Sequence, residues 1–133
     1  MNPEQTTIIE QCAHGALTGE LAFPDIIQRL SSIGVERYHA DYSRHEITYY
    51  FQAGESFVVA TPHGHHDIGQ EFSSADVASA VRQSQLNEHT YLDFIEKTMK
   101  AGCVGYFVQL TGRCVIYFGR KGESHTEHFP GNR

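Results

Sequence analysis

Shifted by 68 residues, the sequence lies over itself without a gap. GVERYHADYSRHEITYYFQAGESFVVATP (34–62) falls on GCVGYFVQLTGRCVIYFGRKGESHTEHFP (102–130). Seven of these 29 positions are identical: Gly34/Gly102, Tyr38/Tyr106, Tyr49/Tyr117, Gly54/Gly122, Glu55/Glu123, Ser56/Ser124 and Pro62/Pro130. Chance gives about two at ordinary residue frequencies. The match runs on backwards, with FPDIIQRLSSIG (23–34) over YLDFIEKTMKAG (91–102). The two halves are expected to fold alike.

The repeated unit reads as two helices and three strands. Ile26, Ile27, Leu30 and Ile33, and in the second copy Phe94, Ile95 and Met99, recur at helical spacing. Pro24 suits a first turn, Thr90 with Asp93 forms a capping-box pattern, and each helix runs into a glycine, Gly34 or Gly102. Two earlier helices are expected over 3–15, from Pro3 to Gly15, and over 74–86. Strands follow from alternation: Tyr38, Ala40 and Tyr42 against His39 and Asp41, matched by Tyr106, Val108 and Leu110 against Phe107 and Gln109. The nearly duplicated YYFQAGES (49–56) and YFGRKGES (117–124) read as hairpins whose glycine supplies a positive φ. The expected fold is α+β, an internally duplicated helix-helix-three-strand unit whose antiparallel meanders pack with helices. The chain (1–133) is one domain with pseudo-repeats of about 1–65 and 69–133. One continuous sheet and two facing sheets are both compatible with the pattern.

At 133 residues the chain buries roughly two-thirds of its unfolded surface and needs no metal or disulfide to fold. Ten Lys and Arg against 16 Asp and Glu argue against a nucleic-acid partner, which requires clustered cations. Arg113, Arg120, Lys121 and Arg133 lie near the end of the chain, but Glu123 and Glu127 sit among them. Cys12, Cys103 and Cys114 are odd in number and lack CxxC spacing, as in reduced cytoplasmic proteins. The start, MNPEQTTIIEQ, has no basic and apolar leader, and no apolar run is long enough to span a membrane. A cytoplasmic location without membrane contact is expected.

The segments GVERYHADYSRHEITYY, AGCVGYFVQLTGR and YFGRKGESHTEHFPG resemble the YdfO-like family. These are small uncharacterised enterobacterial and prophage proteins, a domain of unknown function sometimes labelled phage envelope protein. The resemblance covers nearly the whole chain. It implies an α+β fold and a prophage context, and carries over no catalytic residue. The envelope label is not adopted, because no export or membrane segment is read here.

Function is sought where the halves differ. The last strand of the first half, FVVA (57–60), is apolar and suits a buried strand, whereas its counterpart HTEH (125–128) is polar throughout. His125 and Glu127 share a face and, with His39 and Asp41, form the candidate catalytic cluster, since a His beside a carboxylate can bind or transfer a proton. The alternative is an edge strand kept polar against aggregation. Tyr50, Phe57, Phe107, Ile116 and Phe118 are the candidate binding surface, which a sheet covered on only one side would leave open. At the joint, TPHGHHDIGQ (61–70) sets His63, His65, His66 and Asp67 as candidate Zn²⁺ or Ni²⁺ ligands, with His14 or His89 completing a site. A solvated linker without cofactor is the other reading. No GxSxG, P-loop or dinucleotide fingerprint occurs. The expected function is a non-enzymatic protein-binding or regulatory module that engages a host or phage protein, or a second copy, through its sheet face. The alternative is a small-molecule or metal-dependent enzyme built on the His and carboxylate cluster.

Overall fold

The computed structural model of the chain describes residues 1–62, 64 and 66–130. Among these, four helices and six strands follow in the order α1 (Pro3–Thr18), α2 (Phe23–Ser32), β1 (Val35–Asp41), β2 (Glu46–Phe51), β3 (Ser56–Ala60), α3 (Ser74–Gln85), α4 (Tyr91–Lys100), β4 (Cys103–Gln109), β5 (Cys114–Gly119) and β6 (Ser124–His128). From α2 to β3, every boundary recurs 68 residues later. The fold is α+β.

Local chemistry sets the helix ends. Asn2 and Gln5 form a capping box at the start of α1, and Thr90 and Asp93 form another at α4. Both satisfy backbone N–H groups that have no partner within the helix. The expected stop of α1 at Gly15 is corrected: the helix continues to Thr18 and ends on the left-handed Gly19. Gly15 serves a close approach instead, for a Cβ there would lie 2.6 Å from the Leu21 side chain. Downstream, α2 buries Ile26 and Leu30, and α4 buries Phe94, Ile95, Thr98 and Met99, the faces read from spacing.

The six strands form one antiparallel sheet, β3-β2-β1-β4-β5-β6, which decides between one sheet and two. At its centre β1 pairs with β4, and His39 stands opposite Phe107, the residue 68 positions on. Tyr38 opposes Val108 and Ala40 opposes Tyr106, so the ladder has a local twofold relation about His39 and Phe107. Hydrogen bonds obey it too: Tyr42 N–H donates to the Val104 carbonyl and Leu110 N–H to the Glu36 carbonyl. Matching irregularities interrupt the strands between Val35 and Arg37 and between Cys103 and Gly105.

All four helices lie against one face, with α2 over β1, α4 over β4, α1 over β3 and α3 over β6. Beneath them lie Tyr38, Ala40, Ile47, Tyr49, Phe51, Tyr106, Val108, Val115 and Tyr117, all buried. Each large apolar side chain moved from water contributes about 1.5–3 kcal/mol, which makes this layer the dominant stabilising one. Three of the tyrosines have hydroxyl partners on the helices or one another: Tyr42 with Thr98 at 2.7 Å and Tyr91 with Tyr106 at 2.6 Å.

One strand expectation fails. FVVA is not in a buried strand; β3 is an edge, with Val58 half exposed. Its apolar character reflects α1 above it, since Phe57 and Val59 pack against the core while their outer flank stays open. At the opposite edge, β6 fits the reading of a polar, protected border. No helix among the described residues is long and apolar enough to cross a membrane.

Candidate functional site

The face that none of the described helices covers presents a group of ring side chains. The imidazole of His39 stacks on the Phe107 ring at 4.4 Å and 10°, and Phe118 meets Phe107 edge-on at 6.0 Å. Ile116 stands opposite Phe107 on β5. On the first half, the Arg37 guanidinium lies 4.3 Å over the Tyr50 ring and also pairs with the Glu36 carboxylate. Tyr50, Phe107, Ile116 and Phe118 are each half-buried by these neighbours.

Phe57 does not belong to this group. In an antiparallel pair, residues directly opposite share a face, and Phe57 opposes Tyr49 rather than Tyr50. It therefore points to the helices, together with buried Tyr49.

The same rule separates the candidate catalytic residues. His125 opposes Tyr117 and Glu127 opposes Val115, which puts both on the helix side. There His125 Nε2 lies 2.6 Å from Glu127 Oε2, and the His125 ring lies 6.4 Å from that of Tyr117. Burial first, and then the nearby Glu127 charge, holds the Tyr117 phenol far above its usual range, so it stays a neutral donor. His39 and Asp41 are on the other face, with β4 and β5 between their strand and β6. Asp41 is committed to its turn, where Oδ1 accepts from the Ser43 and Arg44 N–H groups. The four residues do not form one cluster.

At the joint, His63 and His65 lie outside the described residues. The neighbouring segment is held in place: Arg120 donates to the Ile68 and Gly69 carbonyls, and Gly69 N–H donates to the Met99 carbonyl. His66 lies close enough to Glu96 to help keep that carboxyl below its usual range, after the larger effect of Lys100. Among the described residues, no group of three His, Cys, Asp or Glu is arranged to hold a metal ion. His89 is engaged elsewhere, and His14 is exposed on α1.

The sequence reading did not single out the surroundings of His89. Its Nε2 lies 2.8 Å from Ser84 Oγ and its Nδ1 lies 2.9 Å from Lys97 Nζ, which also donates to Gln83. A lysine ammonium can only donate, so Nδ1 accepts and Nε2 carries the proton that faces the serine. Such an imidazole cannot take the serine proton, and the trio is a strut between α3 and α4 rather than a nucleophile with its base. Partial burial, then Lys97, pushes the His89 pKa down. Ser84 and His89 are five positions apart across a helix end, a spacing with no catalytic signature.

The thiols are also quiet. Cys12 and Cys103 are buried, and burial pushes the Cys103 thiol up to about 12. Cys114 is half-buried on the uncovered face. Two shallow grooves occur elsewhere. One of about 250 Å³ between α3 and α4 is lined by Asp76, Gln83, Lys97 and Lys100; the other, of about 340 Å³, lies beside Phe23, Ile27 and Phe129. Neither includes His125, Glu127 or the aromatic group.

The molecule is thus an α+β sheet protein with helices on one side and an uncovered aromatic face on the other. The chain matches the model of the family described as "protein of unknown function (DUF1398)" over residues 11–127, and it belongs to that family. No curated protein matches it.

Proposed function

We propose that this chain is a non-enzymatic protein-binding or regulatory module that works through the uncovered sheet face, with Tyr50, Phe107, Ile116 and Phe118 as its contact residues. One observation carries the reading: all four described helices pack on the other side, and among the described residues nothing layers over the stacked His39 and Phe107 rings and the edge-on Phe118. Half-exposed contiguous rings gain most from being covered, because each supplies large apolar area at low conformational cost. The partner class is a host or phage protein met in the cytoplasm, in keeping with the resemblance to the prophage-carried YdfO-like proteins. The recurrence of elements at 68 residues supports treating the halves as pseudo-repeats that together build this face.

Site-specific photo-crosslinking in living bacteria tests the proposal. A benzophenone side chain at Phe107 or Phe118 is expected to give a protein adduct of one discrete mass. The same probe at exposed Leu86 or Leu92, away from the sheet face, is expected to give none. Equal or absent adducts at all four positions would sink the reading.

The second reading, a small-molecule enzyme, rests on the His125–Glu127 contact alone. It requires a ligand bound on the helix side of β6, detectable as a shift of the His125 NMR resonances that His39 does not share.

A further inference from the structure

We infer that β3 is a pairing edge for a second copy of this chain, joined antiparallel to its own β3 across a twofold axis at Val58. This goes beyond the proposed function, which concerns the face of the sheet and not its border.

The backbone carries the argument. Phe51 N–H donates to the Glu55 carbonyl at 2.9 Å, and Thr61 N–H to the His45 carbonyl at 2.8 Å. Hydrogen-bonded pairs alternate along an antiparallel ladder, so Phe57 and Val59, opposite Tyr49 and Ile47, turn their N–H and C=O groups toward β2. Ser56, Val58 and Ala60 therefore point theirs outward, and among the described residues no strand lies beyond β3. The edge strand itself carries none of the protecting side chains. SFVVA holds no charge, no proline and no glycine, and Val58 is half exposed. The matching edge, SHTEH, has an inward-facing His125 and Glu127.

The side chains select the occupant. Phe57 and Val59 are only part-buried beneath α1, so an added strand must bring apolar residues beside them. A second β3 does so. About an axis at Val58, Phe57 of each copy opposes Val59 of the other, Ser56 opposes Ala60, and no charges face each other. The pairing is self-complementary, as a twofold dimer requires. It is also closed, because the new outer borders are both the polar β6. An interface of two five-residue strands lies at the small end of specific contacts, below about 1,200 Å², so the dimer exchanges with monomer at micromolar concentration.

Sedimentation velocity from about 5 to 500 µM, a range chosen to bracket a micromolar constant, tests this. Wild type is expected to move from monomer to dimer. Val58→Pro removes one outward N–H and no bond to β2, and is expected to weaken association at least tenfold. Thr126→Pro, the same change on β6, is expected to leave it unaltered. A monomer throughout, or a dimer that Val58→Pro leaves intact, overturns the proposal. If either proline variant has lost its circular-dichroism spectrum, oxidative trapping decides. In a Cys114→Ser background, Val58→Cys sets two thiols on directly opposed residues about 5.5 Å apart at Cα, within disulfide reach. A covalent dimer from that variant and not from Thr126→Cys upholds the pairing, and equal yields refute it.

Discussion

Gly34 and Gly102 end the equivalent helices α2 and α4 with φ of 93° and 95°, so an alanine at either meets the same backbone strain. Their surroundings differ. A Cβ on Gly34 would find only a Phe51 ring carbon at 3.9 Å, whereas one on Gly102 would lie 2.4 Å from the Glu71 carbonyl oxygen and 2.8 Å from Phe72 Cα. Those are backbone atoms of the segment leading into α3, pinned there by the Ser73 N–H donating to the Ala101 carbonyl. Gly34→Ala should cost the left-handed strain alone, about 1–2 kcal/mol. Gly102→Ala adds a clash that only a loop shift relieves, a further ~1–3 kcal/mol by analogy with overpacking. For a chain of this length each kcal/mol moves Tm by about 3.5 °C, so the expected drops are about 4–7 °C and about 7–18 °C. Urea and thermal melts followed by circular dichroism check this directly. Equal losses at the two sites would refute the claim that the 66–73 segment is packed against the α4 cap.

Native-state thiol titration should consume one cysteine, Cys114, and reach all three only on unfolding, since Cys12 and Cys103 are buried with raised pKa values. Rapid modification of more than one thiol in the folded protein would contradict that packing. His89 should make stability pH-dependent. Its folded pKa is depressed, chiefly by burial and then by Lys97 against the opposing Asp93 and Glu88, so the unfolded chain binds the proton more readily. Stability is then full above the ordinary histidine value of about 6.5, falls as pH drops through it, and levels off below the folded pKa. His89→Gln should flatten that decline in melts between about pH 7 and 5, a window set by the same reference value. An unchanged slope would assign it to other groups.

The fold was legible wherever a signal is local. Caps at Thr90, the glycines after α2 and α4, and the alternation of Tyr38, Ala40 and Tyr42 each depend on neighbours a few residues away. What failed depended on register and order. Alternation tells which residues share a face within a strand, but only the turn fixes the face of the next strand. Phe57 went to the wrong side for that reason, and His125 and Glu127 parted from His39 and Asp41 by the same rule. Strand order is a second non-local fact: β3 became an edge because β1 paired with β4. Gly15 misled because an interior helical glycine and a terminal one read alike until Leu21 is seen against it.

The central ladder has a consequence for design. About His39, a copy of β1 would find in another β1 the same large-against-small match that β4 supplies, Tyr38 opposite Ala40, much as Tyr38 now opposes Val108. Two identical half-length chains would meet along such a seam as a homodimer, at a cost that depends on their concentration. Tethering them in one polypeptide fixes that concentration at about the millimolar level of a short flexible link. It also frees the halves from being identical. Only in a single chain can one side of the axis carry the His39 imidazole while the other carries the Phe107 ring.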